Sequence, residues 1–256
     1  MNLPIIVVEV HWALNDKFNC AKREAIGPPI AFFNYVTMRE LDIQFTYKTR
    51  YYTEGNLGTG TKKIWVVLHG YGQLARYFLK KFNVLSESGV YVIAPEGISK
   101  FYLEDVSSRS RTGNNRVGAT WMTRENRLTE IENYISYLNS VYKKEVPENF
   151  QGEITILGFS QGAATAARWA IDGNQPFQRL ILWAGIFPPD MNFEKAQEIF
   201  QGKRVIEVFG TTDPYLTDDR LKEVSSVNNR LNIHPEIIEF DGGHEIDAQV
   251  LASLLK

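Results

Sequence analysis

Three short segments of this 256-residue chain carry residue types that together could perform nucleophilic chemistry. The first is Gly158-Phe159-Ser160-Gln161-Gly162, a serine with a glycine two residues to either side. With 19 glycines and 12 serines in the chain, roughly 0.07 chance occurrences of that spacing are expected, so the pattern needs its context. The context is an apolar run ending at Phe159, followed at once by the small residues Gly162, Ala163 and Ala164. That order predicts a strand, a sharp turn and a helix. A serine at such a turn adopts strained backbone angles, and the flanking glycines make room for the neighbouring strand and helix. The hydroxyl then stands clear of the sheet at a helix N-terminus, where partial positive charge favours a developing anion.

A serine hydroxyl is a weak nucleophile without a base, and the base needs an orienting carboxylate. The run Val205 to Phe209 ends in Gly210-Thr211-Thr212-Asp213-Pro214, and Glu236 to Phe240 ends in Asp241-Gly242-Gly243-His244. Both segments fall on loops after late strands, which makes Asp213 and His244 the candidate partners of Ser160. Asp218 and Asp219 read instead as first-turn helix residues, Asp241 as a turn former, and His234, at the other end of its strand, as a surface residue. An acyl-transfer site also needs backbone N–H groups for the tetrahedral oxyanion. Gln161 supplies one candidate. Leu68-His69-Gly70-Tyr71-Gly72 supplies the other, with Tyr71 preferred and Gly72 the alternative. His69 precedes the serine and is expected to brace its loop rather than to act as a base. No second His or Cys falls at ligand spacing, so neither a metal nor another cofactor is expected.

The elements that must hold these loops follow from the apolar pattern. Ile64 to Leu68, Val90 to Ala94, Ile154 to Phe159, Leu180 to Trp183, Val205 to Phe209 and Glu236 to Phe240 read as strands, most of them continuous apolar runs buried on both faces. Between them lie helical stretches over Leu74 to Leu85, Thr123 to Lys144, Gln161 to Ile171, Phe193 to Phe200 and Asp218 to Leu231, with a last one from Ile246. This alternation predicts an α/β fold: a mostly parallel central sheet with helices on both faces. Asp42 to Thr53 alternates apolar and polar residues and predicts a half-buried antiparallel strand at the start of the sheet, with a second through Tyr51 and Tyr52 as its continuation. The segment from Ile98 to about Trp121 is polar and irregular, and reads as a long loop. Residues 1–37 read as an N-terminal extension, with Met38 as an internal start or, alternatively, with this stretch as a docking arm; residues 38–256 read as a single domain. His11 and Cys20 lie in the extension without partners and are read as non-functional.

Composition narrows the function further. Lys and Arg total 28 against 30 for Asp and Glu, a net charge of −2 that lacks the basic excess of a nucleic-acid binder. No apolar run is long enough for a membrane span. A lone cysteine cannot form an internal disulfide, which fits a cytoplasmic protein. A charge this close to zero permits a homodimer.

At Leu68-His69-Gly70, Gly158-Phe159-Ser160-Gln161-Gly162, Gly210-Thr211-Thr212-Asp213-Pro214 and Gly242-Gly243-His244 the sequence resembles the α/β-hydrolase superfamily. It looks most like the small carboxylesterase/phospholipase group that includes acyl-protein thioesterases. The resemblance runs from about residue 40 to the end. It implies an α/β-hydrolase fold and a Ser-His-Asp enzyme cleaving small-molecule carboxylic esters or thioesters. Tyr71-Gly72-Gln73 and the segment Gly118 to Met122 depart from the thioesterase pattern and favour an esterase of bacterial type. Trp121, Met122, Ile186 and Phe187, each at the carboxyl end of a strand or at a helix entry, are candidate walls of the acyl site. Arg109, Arg111 and Arg116 could attract an anionic substrate group, although a solvated loop is the plainer reading. No large insertion offers a lid, so a short or medium acyl chain is expected. A thioesterase or lysophospholipase, a peptidase using the same three residues, and a non-catalytic binding module are the alternatives.

Overall fold

The computed structural model describes residues 38–255; the expectations for the N-terminal extension, including His11 and Cys20, lie outside them. The chain divides into residues 1–46 and 47–256. In the first part, residues 38–46 carry no helix or strand, and Ile43 and Phe45 are exposed. The antiparallel strand expected from the alternation over Asp42 to Thr53 therefore forms only at the end of that stretch, where Tyr51–Glu54 pairs antiparallel with Tyr91–Pro95. Alternation marks a segment able to lie on a sheet, but a strand also needs a neighbouring strand in register.

The second part holds strands β1 (Tyr51–Glu54), β2 (Lys63–Leu68), β3 (Tyr91–Pro95), β4 (Ser99–Tyr102), β5 (Val117–Thr120), β6 (Glu153–Phe159), β7 (Arg179–Trp183), β8 (Arg204–Gly210) and β9 (Glu236–Phe240). Seven of them form one sheet in the order β1-β3-β2-β6-β7-β8-β9, parallel throughout except that β1 runs antiparallel to β3. The helices are α1 (Ala75–Leu79), α2 (Asn83–Glu87), α3 (Val106–Thr112), α4 (Arg127–Glu145), α5 (Gln161–Asp172), α6 (Phe193–Phe200), α7 (Asp218–Leu231) and α8 (Ala248–Ser253).

The period of two along each strand divides the core into two layers. Ile64, Val66, Ile156 and Leu182 face one way, against Leu138 of α4, Trp169 of α5, Phe200 of α6 and Leu231 of α7. Trp65, Val67, Leu157 and Ile206 face the other, against Phe78 of α1, Leu85 of α2 and Leu251 of α8. Burial on both faces is the reason these strands read as unbroken apolar runs.

Two expectations change. Leu74 to Leu85 is interrupted by a 3₁₀ turn at Lys80–Phe82. The segment from Ile98 to Trp121 is not irregular: β4 and β5 pair as an antiparallel ribbon with α3 at its tip. The Asp105 carboxylate accepts from the Ser108 N–H at 2.8 Å to cap α3, and Gly113 closes the helix at φ 69°. Gln73 forms an isolated bridge to Ala119, which ties this ribbon to the loop after β2.

Candidate active site

Ser160 sits between β6 and α5 with φ 55° and ψ −118°, a conformation that L-residues hold only under constraint. The constraint comes from both sides. The Ser160 N–H donates to Trp183 O at 2.8 Å and its carbonyl accepts from the Ala163 N–H at 2.9 Å. A Cβ on Gly158 would strike the Gly162 carbonyl, and one on Gly162 would strike the Leu68 carbonyl. The glycine spacing in the sequence is thus the spacing at which the turn touches its neighbours.

His244 lies on the loop after β9. Its Nε2 is 2.9 Å from Ser160 Oγ, and its Nδ1 is 2.7 Å from Asp213 Oδ2. The carboxylate orients the ring, so Nδ1 carries the proton and Nε2 faces the serine as an acceptor. Asp213, buried after β8, also accepts the Tyr215 N–H on Oδ1 at 2.9 Å. The rings of Phe159 and Tyr215 pack on His244 at 4.9 and 4.7 Å. The two supporting loops are laced together: Thr211 N–H donates to Phe240 O and Thr212 N–H to Gly242 O, both at 2.9 Å. Trp183 Nε1–H anchors the residue after the histidine by donating to Glu245 O at 2.7 Å.

The loop after β2 is held on every side. Gly70 N–H donates to Gln73 Oε1 at 2.9 Å, and Gly72 N–H donates to Ala119 O at 2.9 Å. The N–H of Tyr71 between them makes no hydrogen bond within the described residues. Gln161, first residue of α5, likewise has no intrahelical acceptor for its N–H. Its side chain is fully engaged, with Nε2 donating to Met122 O at 2.9 Å and Oε1 accepting from Trp121 N–H at 3.2 Å.

His69 is buried and stacked beside Trp121, with ring centroids 5.0 Å apart. Desolvation lowers its pKa to about 4, outweighing its bond to Gly70, so the ring is neutral near pH 7. Its Nε2 accepts from Gly97 N–H at 2.9 Å, which puts the proton on Nδ1, 2.8 Å from Gly70 O. The expected bracing role matches this placement. Glu96 beside it is buried too, accepting from Ala75 N–H at 3.2 Å and pairing with Arg50 at 2.7 Å.

A cavity of about 470 Å³ opens over Ser160 and His244, and Tyr71, Gln161 and Asp213 also line it. Of the four residues expected to wall the acyl site, Ile186 alone lines this cavity. Trp121 is buried and donates its Nε1–H to His69 O at 2.8 Å. Phe187 is buried against Phe200, and Met122 contributes its carbonyl to Gln161. Trp121 and Met122 thus support the site from behind and Phe187 joins the core, because apolar residues at strand ends fill the core as readily as they line a pocket. The walls that sequence reasoning missed are Ala164, Ala184, Gly185, Phe209, Tyr215, Leu216 and Arg220. Tyr215 and Leu216 directly follow Asp213-Pro214, and that adjacency was the available signal. Among the described residues no cluster of His, Cys, Asp or Glu is arranged to hold a metal ion, and no helix is long and apolar enough to cross a membrane.

The sheet with its antiparallel first strand, the helices on both faces and the serine turn after a central strand define an α/β hydrolase. A model of the serine hydrolase family FSH1 matches residues 59–250, and the chain belongs to that family. It is a serine hydrolase. Solved structures with the same fold include acyl-protein thioesterase 2 of Zea mays, 16% identical, covering 81% of this chain and 98% of that one with a TM-score of 0.59. A Bacillus cereus carboxylesterase is 18% identical over 80% of this chain and 91% of its own, with a TM-score of 0.56. One from Mesorhizobium loti is 16% identical over 75% and 88%, with a TM-score of 0.57. A search of curated proteins gave no sequence match.

Proposed function

We propose that the chain is a carboxylic ester hydrolase acting on small-molecule esters of short or medium acyl chains, with Ser160 as nucleophile. The observation that carries this reading is the His244 ring, bonded to Ser160 Oγ at one nitrogen and to Asp213 at the other, on the wall of a cavity with both apolar and polar lining.

Ser160 Oγ attacks the acyl carbon while His244 Nε2 takes its proton. Asp213 holds the Nδ1–H and stabilises the imidazolium. The carbonyl oxygen becomes an oxyanion that accepts from the N–H groups of Gln161 and Tyr71. Tyr71 serves rather than Gly72, because the Gly72 N–H is already committed to Ala119 O. The carbon–oxygen bond of the ester then breaks, and the alcohol leaves with the proton from Nε2. Water adds to the acyl-enzyme by the same route, giving the carboxylic acid and free Ser160.

The cavity volume of about 470 Å³ and its Ile186, Phe209 and Leu216 walls suit a short or medium acyl group. The test is hydrolysis of 4-nitrophenyl esters from acetate to palmitate, with Ser160→Ala alongside. Activity should peak at short or medium chains, and the variant should lose on the order of 10⁴-fold or more in kcat. Retained activity in Ser160→Ala refutes the nucleophile. A rate rising steadily to palmitate refutes the acyl length, and cleavage of the matching anilide at a comparable rate favours a peptidase.

A further inference from the structure

We infer that the preferred esters carry a second, ionised carboxylate at the far end of the acyl chain, received by Arg220 on the wall of the catalytic cavity. The inference rests on the esterase reading of Ser160 and names the substrate class of that same site.

The charge inventory of the cavity leads to it. Three ionisable side chains other than tyrosines line it: Asp213, His244 and Arg220. Asp213 and His244 are committed to each other. The rest of the lining is apolar or uncharged, so Arg220 is the one charged group of the lining outside the Asp213–His244 pair. It stands in the first turn of α7, which follows the loop carrying Asp213, Tyr215 and Leu216. Its Nη1 donates to Glu223 Oε2 at 2.7 Å, and no other bond is made by its guanidinium within the described residues. Nε and Nη2 therefore remain to meet a planar anion, the geometry at which arginine binds carboxylates best.

Other arginines do not compete for this role. Arg109 lies over the Tyr102 ring at 3.9 Å, Arg116 pairs with Glu104, and neither lines the cavity. Arg127 and Arg168 share Asp190. Of the three carboxylates on α7, Asp218, Asp219 and Glu223, the one that meets the Arg220 guanidinium is Glu223, while Asp219 pairs with Lys222. A substrate carboxylate would compete with Glu223 for the guanidinium. This gives a signature of opposite signs: removing the arginine weakens selection for the anion, and removing the glutamate charge strengthens it.

The experiment compares kcat/KM for mono-4-nitrophenyl adipate with that for 4-nitrophenyl hexanoate, esters of equal chain length that differ in the distal carboxylate. Wild type should favour the adipate. Arg220→Gln should lower the ratio on the order of tenfold, Arg220→Lys should retain part of it, and Glu223→Gln should raise it. The ratio should also fall as salt is added, because the site is open to solvent. Turnover of the hexanoate with no preference for the adipate, or a ratio indifferent to both substitutions, overturns the inference and leaves the esterase reading intact. Turnover of neither ester by wild type overturns both.

Discussion

Glu207 offers a test of how buried charge shapes the stability of this protein. It lies in the middle of β8, 1% exposed, with Oε2 accepting from Asn228 Nδ2 at 3.0 Å. Burial raises its pKa from 4.5 to about 7, and the bond from Asn228 offsets only part of the cost of ionising it there. Asn228 Oδ1 is buried beside it without a partner. A protonated carboxyl, or a glutamine amide, carries the donor that this oxygen lacks; a carboxylate does not. The folded-state pKa lies above the unfolded one. Stability is therefore undiminished below pH 4.5 and falls as pH rises to about 7, where the native state gives up its proton last. The interval corresponds to about 3 kcal/mol once the group is ionised in both states.

Glu207→Gln should accordingly be close to neutral near pH 4.5 and stabilising by up to about 3 kcal/mol near pH 8, or about 6–12 °C in Tm. The assay is denaturant unfolding of both proteins across that range, read as the difference between them at each pH. The difference is needed because His69 works in the opposite direction. Its depressed pKa of about 4 makes stability fall as pH drops from 6.5 toward 4, so the two groups partly cancel in the wild-type profile. A variant-minus-wild-type difference that does not change with pH would refute the reasoning. Ester turnover should not change, since Glu207 lies outside the catalytic cavity.

Two further substitutions probe the scaffold of the site. Trp183→Phe removes the Nε1–H bond to Glu245 O, which anchors the residue after His244; it should cost about 1–2 kcal/mol of stability and lower kcat while KM stays near its wild-type value. Gln161→Ala keeps the backbone N–H but cuts the side-chain ties to Thr120, Trp121 and Met122. Turnover should fall about tenfold, with faster amide exchange over residues 120–122; unaltered exchange there would show that the side chain is not what holds that turn.

The sheet and the serine turn were legible because each rests on a local pattern. Ile64 to Leu68 and Leu180 to Trp183 are buried on both faces, so their sequence alone announces central parallel strands. Glu236 to Phe240 and Phe193 to Phe200 match the observed elements residue for residue. What stayed hidden depends on partners remote in the chain. Ile43, Phe45 and Tyr47 alternate as a strand would, yet no strand forms there. The β4–β5 ribbon has strands of four residues, too short for a clear period, although Asp105 and Gly113 marked the ends of α3. Trp121 and Phe187 could not be told from pocket walls, since both readings use the same residue type at the same place. Arg220 was invisible for a simpler reason: the third residue of a helix reads as surface until the fold places it on the wall of the cavity that also holds Ser160.

The rigidity of the loop after β2 explains why so many buried polar groups collect behind a site that uses so few. An oxyanion donor helps only if it points at the developing charge before the reaction begins. The Tyr71 N–H, the second donor in the reading proposed above, lies in a loop whose other groups are tied down: Gly70 through Gln73 and His69, Gly72 through Ala119, His69 through Gly97 and Trp121, and Ala75 through Glu96. His69 is the hinge of this arrangement, and it holds only as a neutral ring. A protonated imidazole has two donors and no acceptor, so Gly97 N–H would face another N–H in a space closed to water. Desolvation by the surrounding core, which includes Trp121 and Phe78, keeps the ring neutral down to about pH 4, well below the range in which an ordinary histidine gains its proton. The same apolar packing that stabilises the layer thus protects the hydrogen bonds that hold the loop after β2.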